Sequence, residues 1–161
     1  MTPPLASGGC AVRPASTRAD AGTPRSQTKR CRLSASDRAA GRLRAWVATQ
    51  LAGWGLEHLR DDLTLIAAEL AANAVRHAGS AADVRLTLRS GGPRGPYVRL
   101  EVVDAGPGFD VAAVTATWQD EEMLLGCRGR GLLLVAGVSS RWGCGRIARG
   151  HRVWAEVACT A

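Results

Sequence analysis

The stretch Glu69-Leu70-Ala71-Ala72-Asn73-Ala74-Val75-Arg76-His77 restricts the fold more than any other part of the chain. Glu69, Asn73 and His77 recur at i, i+4 and i+8, so on a helix they share one face, drifting by roughly 40° per step. Ile66, Leu70 and Ala74 fall on the opposite side and suit a core. The spacing predicts a helix from about His58 to His77, with Leu59 and Leu63 extending the apolar stripe. Asp61 and Asp62 sit in its first turns, where the helix dipole favours anions, and Gly79 suits a left-handed cap. A carboxylate, an amide and an imidazole then stand in a row along one helix. Taken alone, such a row also fits a half-exposed surface helix.

The flanking segments repeat two periods. Ala39, Ala40, Leu43, Trp46, Val47 and Leu51 mark a helical stripe through about Ala52, with Ser34 or Ser36 as its cap and Asp37 at its positive end. Gly53-Trp54-Gly55 breaks it. Val84, Leu86 and Leu88 alternate with Arg85, Thr87 and Arg89, and after a Gly/Pro turn Val98, Leu100 and Val102 alternate with Tyr97, Arg99 and Glu101. This reads as an antiparallel hairpin with one buried face and one arginine-rich face. Phe109 to Arg128 is ambiguous: Val111, Val114 and Trp118 have partial helical spacing, and Gln119-Asp120-Glu121-Glu122 is polar. A third helix is expected over Arg130–Val138, then strands over Ser140–Gly145 and His151–Ala158. Strands arriving in adjacent pairs exclude a doubly wound sheet. The pattern predicts an α+β two-layer sandwich, a mainly antiparallel mixed sheet with helices on one face.

Residues 1–32 are rich in Pro, Gly, Ser, Thr and Arg without periodicity and read as a disordered basic tail ahead of a domain over 33–161. Five basic residues against Asp20 give residues 1–30 a charge of +4. The whole chain carries +7, almost all of it from arginine. The arginines are scattered over several elements with no run interleaved with aromatics, which argues against a nucleic-acid strip. An acidic protein partner or a polyanionic ligand accounts for the charge as well. Cys10, Cys31, Cys127, Cys144 and Cys159 are odd in number and lack zinc spacing, so free thiols are expected. No apolar run is long enough to span a bilayer, and the expected location is cytoplasmic.

Two glycine turns carry further chemistry. Asp104-Ala105-Gly106-Pro107-Gly108 follows an apolar strand, and Gly129-Arg130-Gly131-Leu132 opens an apolar helix. An isolated carboxylate at a pocket floor accepts an amino hydrogen bond and rejects a carbonyl in its place. Glycines beside it let backbone approach a ligand closely. Amides at a helix N-terminus attract phosphate, and Arg128 and Arg130 add positive charge there. Asn73 offers a neutral oxygen of the kind Mg²⁺ accepts. Glu69, one turn away, can orient or deprotonate a hydroxyl. Each also has a plain structural reading: a core-bridging amide, a carboxylate bonded to water, a tight turn after a strand. His77, and Arg76 with it, serve equally as partners of the helix dipole.

Taken together, the acid-amide helix and the two glycine turns, in that order, resemble the histidine-kinase-like (GHKL) ATPase superfamily, over about residues 35–158. Within it the chain is most similar to the small serine-kinase anti-sigma factors. The resemblance implies a Bergerat ATP-binding fold with ATP and Mg²⁺ as cofactors. Asn73 would hold the metal against the triphosphate, and Glu69 would be the catalytic base. Asp104, with Gly106 and Gly108, would bind adenine. Arg128, Gly129, Arg130, Gly131 and Leu132 would lie along the phosphates with Arg76 and His77, and residues 109–128 would form a lid over them. In kinase members an arginine stands two residues before the first glycine; here that place is Cys127, and Arg128 is offset by one. Relatives often carry a threonine on the last strand at about position 152, where this chain has Arg152.

The implied activity is that of an ATP-binding regulator, a serine/threonine protein kinase acting on a small anti-sigma antagonist of the STAS type, with a sigma factor as a further partner. The alternative is an ATP-dependent protein-binding module without kinase activity, which the offset arginine and Arg152 favour. A third reading, a basic nucleic-acid-binding regulator, lacks a helix-turn-helix pattern. The resemblance also admits a homodimer, since relatives pair through a sheet edge or a helix face.

Overall fold

The computed structural model describes residues 25–91, 93–116, 118 and 130–160. Along the chain run β1 (Ser26–Leu33), α1 (Ala39–Trp54), a 3-10 turn (Glu57–Leu59), α2 (Arg60–Ala78), β2 (Ala82–Arg89), β3 (Tyr97–Asp104), α3 (Val111–Ala116), α4 (Arg130–Val138), β4 (Arg141–Ile147) and β5 (Gly150–Ala158). The strands form one sheet in the order β1-β2-β3-β5-β4, and every neighbouring pair is antiparallel. The architecture is the expected α+β sandwich. The sheet is wholly antiparallel rather than mixed, because each hairpin stays intact and the two hairpins join through β3 and β5.

The helices form where apolar side chains recur every turn. Ala39, Leu43, Val47 and Leu51 are buried on α1. It closes in a Schellman arrangement: Gly55, at φ 69°, donates its N–H to Ala52 O, and the next amide, Leu56, reaches back to Leu51 O. The helix starts later than the serines suggest. Arg38 occupies its N-cap without a side-chain bond, and Ala39 N–H is taken by the backbone carbonyl of Ser36. On α2 the buried set is Leu63, Ile66, Ala67, Leu70, Ala71 and Ala74, and Gly79 caps the end at φ 58°. The 3-10 turn, not α2 itself, holds His58, whose Nε2 lies 3.1 Å from Cys159 O. Helix α2 packs against α1, α4, β3 and β5, so it lies across the middle of the helical layer.

Residues 26–32, read from sequence as tail, instead form most of β1. Its eight residues pair with β2 from Ser26↔Arg89 to Leu33↔Ala82. Only Cys31 and Leu33 turn appreciably inward, and the rest is exposed and includes Lys29, Arg30 and Arg32. A charged edge strand of this kind resists pairing with a second sheet. Its stabilisation comes from backbone bonds to β2 and from pairs such as Thr28 and Thr87, whose hydroxyls are 3.1 Å apart.

The inner side of the sheet supplies Val84, Leu86, Val98, Leu100 and Val102 to the core. The outer side carries alternate residues and collects the scattered arginines. Glu101 and Glu156, only 7% and 6% exposed, are held there by guanidinium groups. Arg85 Nη1 lies 3.1 Å from Glu101 and Arg99 Nη1 lies 3.0 Å from Glu156, while Arg141 and Arg152 approach to 3.9 Å. Arg99 also lies 3.9 Å over the Trp154 ring.

Leu100 is fully buried in the centre of β3, the sheet's middle strand. Leu100→Ala is expected to lower the unfolding free energy by about 2–5 kcal/mol, measured by urea denaturation. Arg30→Ala, on the exposed edge strand, is expected to change it by no more than about 0.5 kcal/mol.

Candidate functional site

Helix α2 carries Glu69 and Asn73 half-buried and Arg76 and His77 exposed. Asn73, Arg76 and His77 form one wall of a cavity of about 470 Å³, and Phe109, Gly131 and Leu132 help form the rest. That size suits a small-molecule ligand. Asp104, Gly108 and His151 line a second crevice of about 10 Å³, which shares Asn73, His77 and Phe109 with the first. The second space is too small for more than a single water. A larger cavity of about 550 Å³ lies between β1 and α1, but no carboxylate or amide side chain lines it.

Asn73 is poised for a ligand. Among the described residues its buried Nδ2 has no hydrogen-bond partner, and its Oδ1 accepts a 3.3 Å bond from Arg76 Nη1. Arg76 is exposed and free to turn away, which would release the oxygen. Among the described residues no group of three or more His, Cys, Asp or Glu side chains could hold a metal. A cation here would therefore need oxygens from a bound ligand and water as well, the habit of Mg²⁺ rather than of zinc.

Glu69 reaches the start of α4. A side chain added at Gly131 would overlap its Oε2, so glycine permits the carboxylate to lie against this helix turn. Arg130 and Gly131 open α4, while Leu132 turns into the core at 4% exposure. Arg128 and Gly129 lie outside the described residues, as does most of the segment expected to form a lid. Its described beginning includes the short helix α3, and the ring of Trp118 lies 5.8 Å from that of Trp142.

Asp104 ends β3 with 7% exposure. Its Oδ1 accepts the Gly106 N–H at 2.8 Å, and among the described residues no hydrogen bond reaches its other oxygen. Both glycines of this turn are required by close approach. A Cβ at Gly106 would lie 2.9 Å from Asp104 Oδ1 and 3.2 Å from Ala78 Cα. Gly108 has φ 75°, and a Cβ there would overlap the His151 ring.

His151 is the residue that sequence reasoning missed. It pairs directly with Asp104 across β3 and β5 and is 2% exposed. The Phe109 ring lies 4.9 Å from its own, and Phe109 is also 6.2 Å from His77. Its buried Nε2 has no partner among the described residues. Burial pushes its pKa down; Asp104 opposes this, and Arg146 and His77 add to it. Arg152, the residue considered at this place, has its guanidinium on the outer face, 3.9 Å from Glu101. The alternation of β5, with Val153, Ala155 and Val157 inward, puts position 151 and not 152 at the site. That signal is readable in the sequence, but the pairing of β5 with β3 is not.

The described cysteines, Cys31, Cys144 and Cys159, are free and half-buried, and burial raises each thiol pKa. They are protonated at neutral pH and take no part in the site.

Gly108→Ala would combine an unfavourable backbone angle with overlap on a buried ring. It is expected to destabilise the fold by about 1–3 kcal/mol, read from denaturation midpoints. His151 carries a pH dependence of defined sign. Its folded pKa lies below the ordinary value of about 6.5, so the unfolded chain binds the proton more readily. The contribution is complete above that value and is lost as pH falls through it towards the folded pKa. Melting temperature should therefore drop between pH 7.5 and 5.5, and the drop should shrink in His151→Gln.

Among protein-family models, the histidine kinase-like ATPase domain matches residues 33–155. A search of curated proteins found no match. The family match runs from the end of β1 into β5 and takes in Glu69, Asn73, Asp104, Gly131 and His151. It covers well over half of the 161 residues, so the chain belongs to the histidine kinase-like ATPase domain family.

Proposed function

We propose that this domain binds Mg-ATP and transfers the γ-phosphoryl group to a serine or threonine of a small protein antagonist, in the manner of an anti-sigma factor kinase. Family membership implies the ATP. One observation carries the rest of the reading: Asn73 and Gly131 line one cavity, Glu69 lies against Gly131, and the adjoining Asp104 crevice shares Asn73, His77 and Phe109 with that cavity.

In this reading the residues divide the work. Asp104 accepts the adenine amino group on its free oxygen. Asn73 Oδ1 would hold Mg²⁺ once Arg76 turns away, and its Nδ2–H would donate to a phosphate oxygen. When bound, the metal neutralises phosphate charge. Gly131 keeps the first turn of α4 open to phosphate, with Arg76, His77, Arg128, Gly129, Arg130 and Leu132 as the other proposed contacts. Glu69 takes the proton of the attacking hydroxyl. A bond forms between that oxygen and the γ-phosphorus, and the bond to the ADP oxygen breaks. Phosphoryl transfer asks mainly for positioning and charge neutralisation, and one carboxylate beside the phosphates meets the remaining need. A STAS-type antagonist as acceptor and a sigma factor as second partner are parts of this proposal.

The second reading, an ATP-dependent binding module, is favoured by Cys127 in place of the expected arginine. It shares the nucleotide site and differs only in transfer.

Calorimetry with Mg-ATP, Mg-free ATP and Mg-GTP tests the nucleotide site. Asp104→Asn is expected to weaken ATP binding by about 10–100-fold, and Asn73→Ala to abolish the advantage of Mg-ATP over Mg-free ATP. Labelled ATP with candidate antagonists tests transfer. Glu69→Ala should cut it by about 100-fold or more while leaving ATP affinity near wild type. Tight ATP binding with no transfer to any antagonist would favour the module.

A further inference from the structure

Two buried polar atoms without partners border the same hollow, Asn73 Nδ2 and His151 Nε2. On the nucleotide reading the first, an N–H donor beside the metal-holding Oδ1, would donate to a phosphate oxygen. Nothing in the reading so far uses the second, and burying such a group unpaired costs about 1–3 kcal/mol. The imidazole is held in place from several sides. β5 sets it opposite Asp104, Gly108 leaves the space its ring fills, and Phe109 covers its remaining side. Burial keeps it neutral at pH 7, so one ring nitrogen donates and the other accepts.

We propose that His151 is the second group that reads the base: its Nε2–H donates to N1 of adenine, beside the Asp104 carboxylate that accepts from the 6-amino group. This rests on the nucleotide reading above and deepens it. Adenine presents a donor at its 6-position and an acceptor at N1, matching the Asp104–His151 pair. Hypoxanthine and guanine present a carbonyl and an N–H at the same two places, so both contacts are inverted. Discrimination by two groups exceeds that of Asp104 alone, because each mismatch leaves a buried polar atom unpaired. Phe109 packs beside the imidazole and the crevice measures only about 10 Å³. Entry of the base therefore displaces the Phe109 ring, whose backbone lies in the half-exposed turn between β3 and α3.

The test compares ATP with 1-deaza-ATP, which keeps the 6-amino group and replaces N1 with C–H. Wild-type protein is expected to bind 1-deaza-ATP about 10-fold or more weakly than ATP in calorimetry. His151→Val should bind the two alike, and His151→Gln, whose amide nitrogen restores a donor, should regain part of the preference. The Nε2 nitrogen of His151 should shift in NMR spectra on adding ATP but not 1-deaza-ATP. ATP bound by the wild type with no preference over 1-deaza-ATP would overturn this inference alone. So would a preference that survives in folded His151→Val. Failure of the wild type to bind ATP at all would overturn it together with the reading it rests on.

Discussion

The antiparallel register between β3 and β5 sets Asp104 against His151, and the arrangement of the site follows from it. A slip of one residue would move Arg152 to the inner face and turn the imidazole to the outer one. Side chains on both faces oppose such a slip. Inward, Val98, Leu100 and Val102 meet Val157, Ala155 and Val153 in the core. Outward, Arg99 pairs with Glu156, and Arg152 approaches Glu101. At the far end Gly150, at φ 135°, lets the β4–β5 turn lie against the Asp104 carbonyl, where a side chain would overlap it. The pocket floor is thus held by sheet pairing and does not depend on loop conformation.

This arrangement also explains which features were legible in sequence. Glu69, Asn73 and His77 could be placed on one helix face because the helical period is local. The Asp104 turn and the start of α4 were legible for the same reason, since glycine punctuation next to an apolar run needs no distant partner. Strand β1 was hidden because an edge strand buries one face poorly. Ser26–Leu33 offers two inward apolar residues among six polar or charged neighbours, which is the composition of a tail. The cap of α1 was misjudged because Ser34 and Ser36 favour that role intrinsically, whereas the chain enters through a backbone turn at Ser36. His151 escaped because its role depends on a pairing between strands separated by α3, α4 and some fifty residues.

The arginine excess has a physical destination as well. Arg85, Arg99, Arg141 and Arg152 meet on the outer face of the sheet around two carboxylates that are almost fully buried. A sheet with one open face would otherwise expose its middle strands to water along their length. The guanidinium groups and the Trp154 ring cover β3 and β5 while their charges remain largely solvated. The carboxylates gain charge-assisted bonds, and the arginines keep water on their free sides, so the desolvation cost falls mainly on Glu101 and Glu156. Four of the chain's 21 basic residues thus have a role within the domain, around these two carboxylates.

The unpaired atoms Asn73 Nδ2 and His151 Nε2 tie stability to ligand. An unpaired buried polar atom costs about 1–3 kcal/mol relative to a satisfied one, and the buried Leu70, Ala74, Val102 and Val153 line the crevice beside both side chains. A flexible site would let these groups find water and would lose the geometry. A fully satisfied one would have to break bonds to take a ligand. Holding both groups on α2 and β5, so that on the nucleotide reading only the 3.3 Å Arg76–Asn73 bond and the Phe109 ring must give way, keeps both costs low. On the nucleotide reading a bound nucleotide would give both atoms a partner. Bound ligand then stabilises the fold through the same two residues that select it.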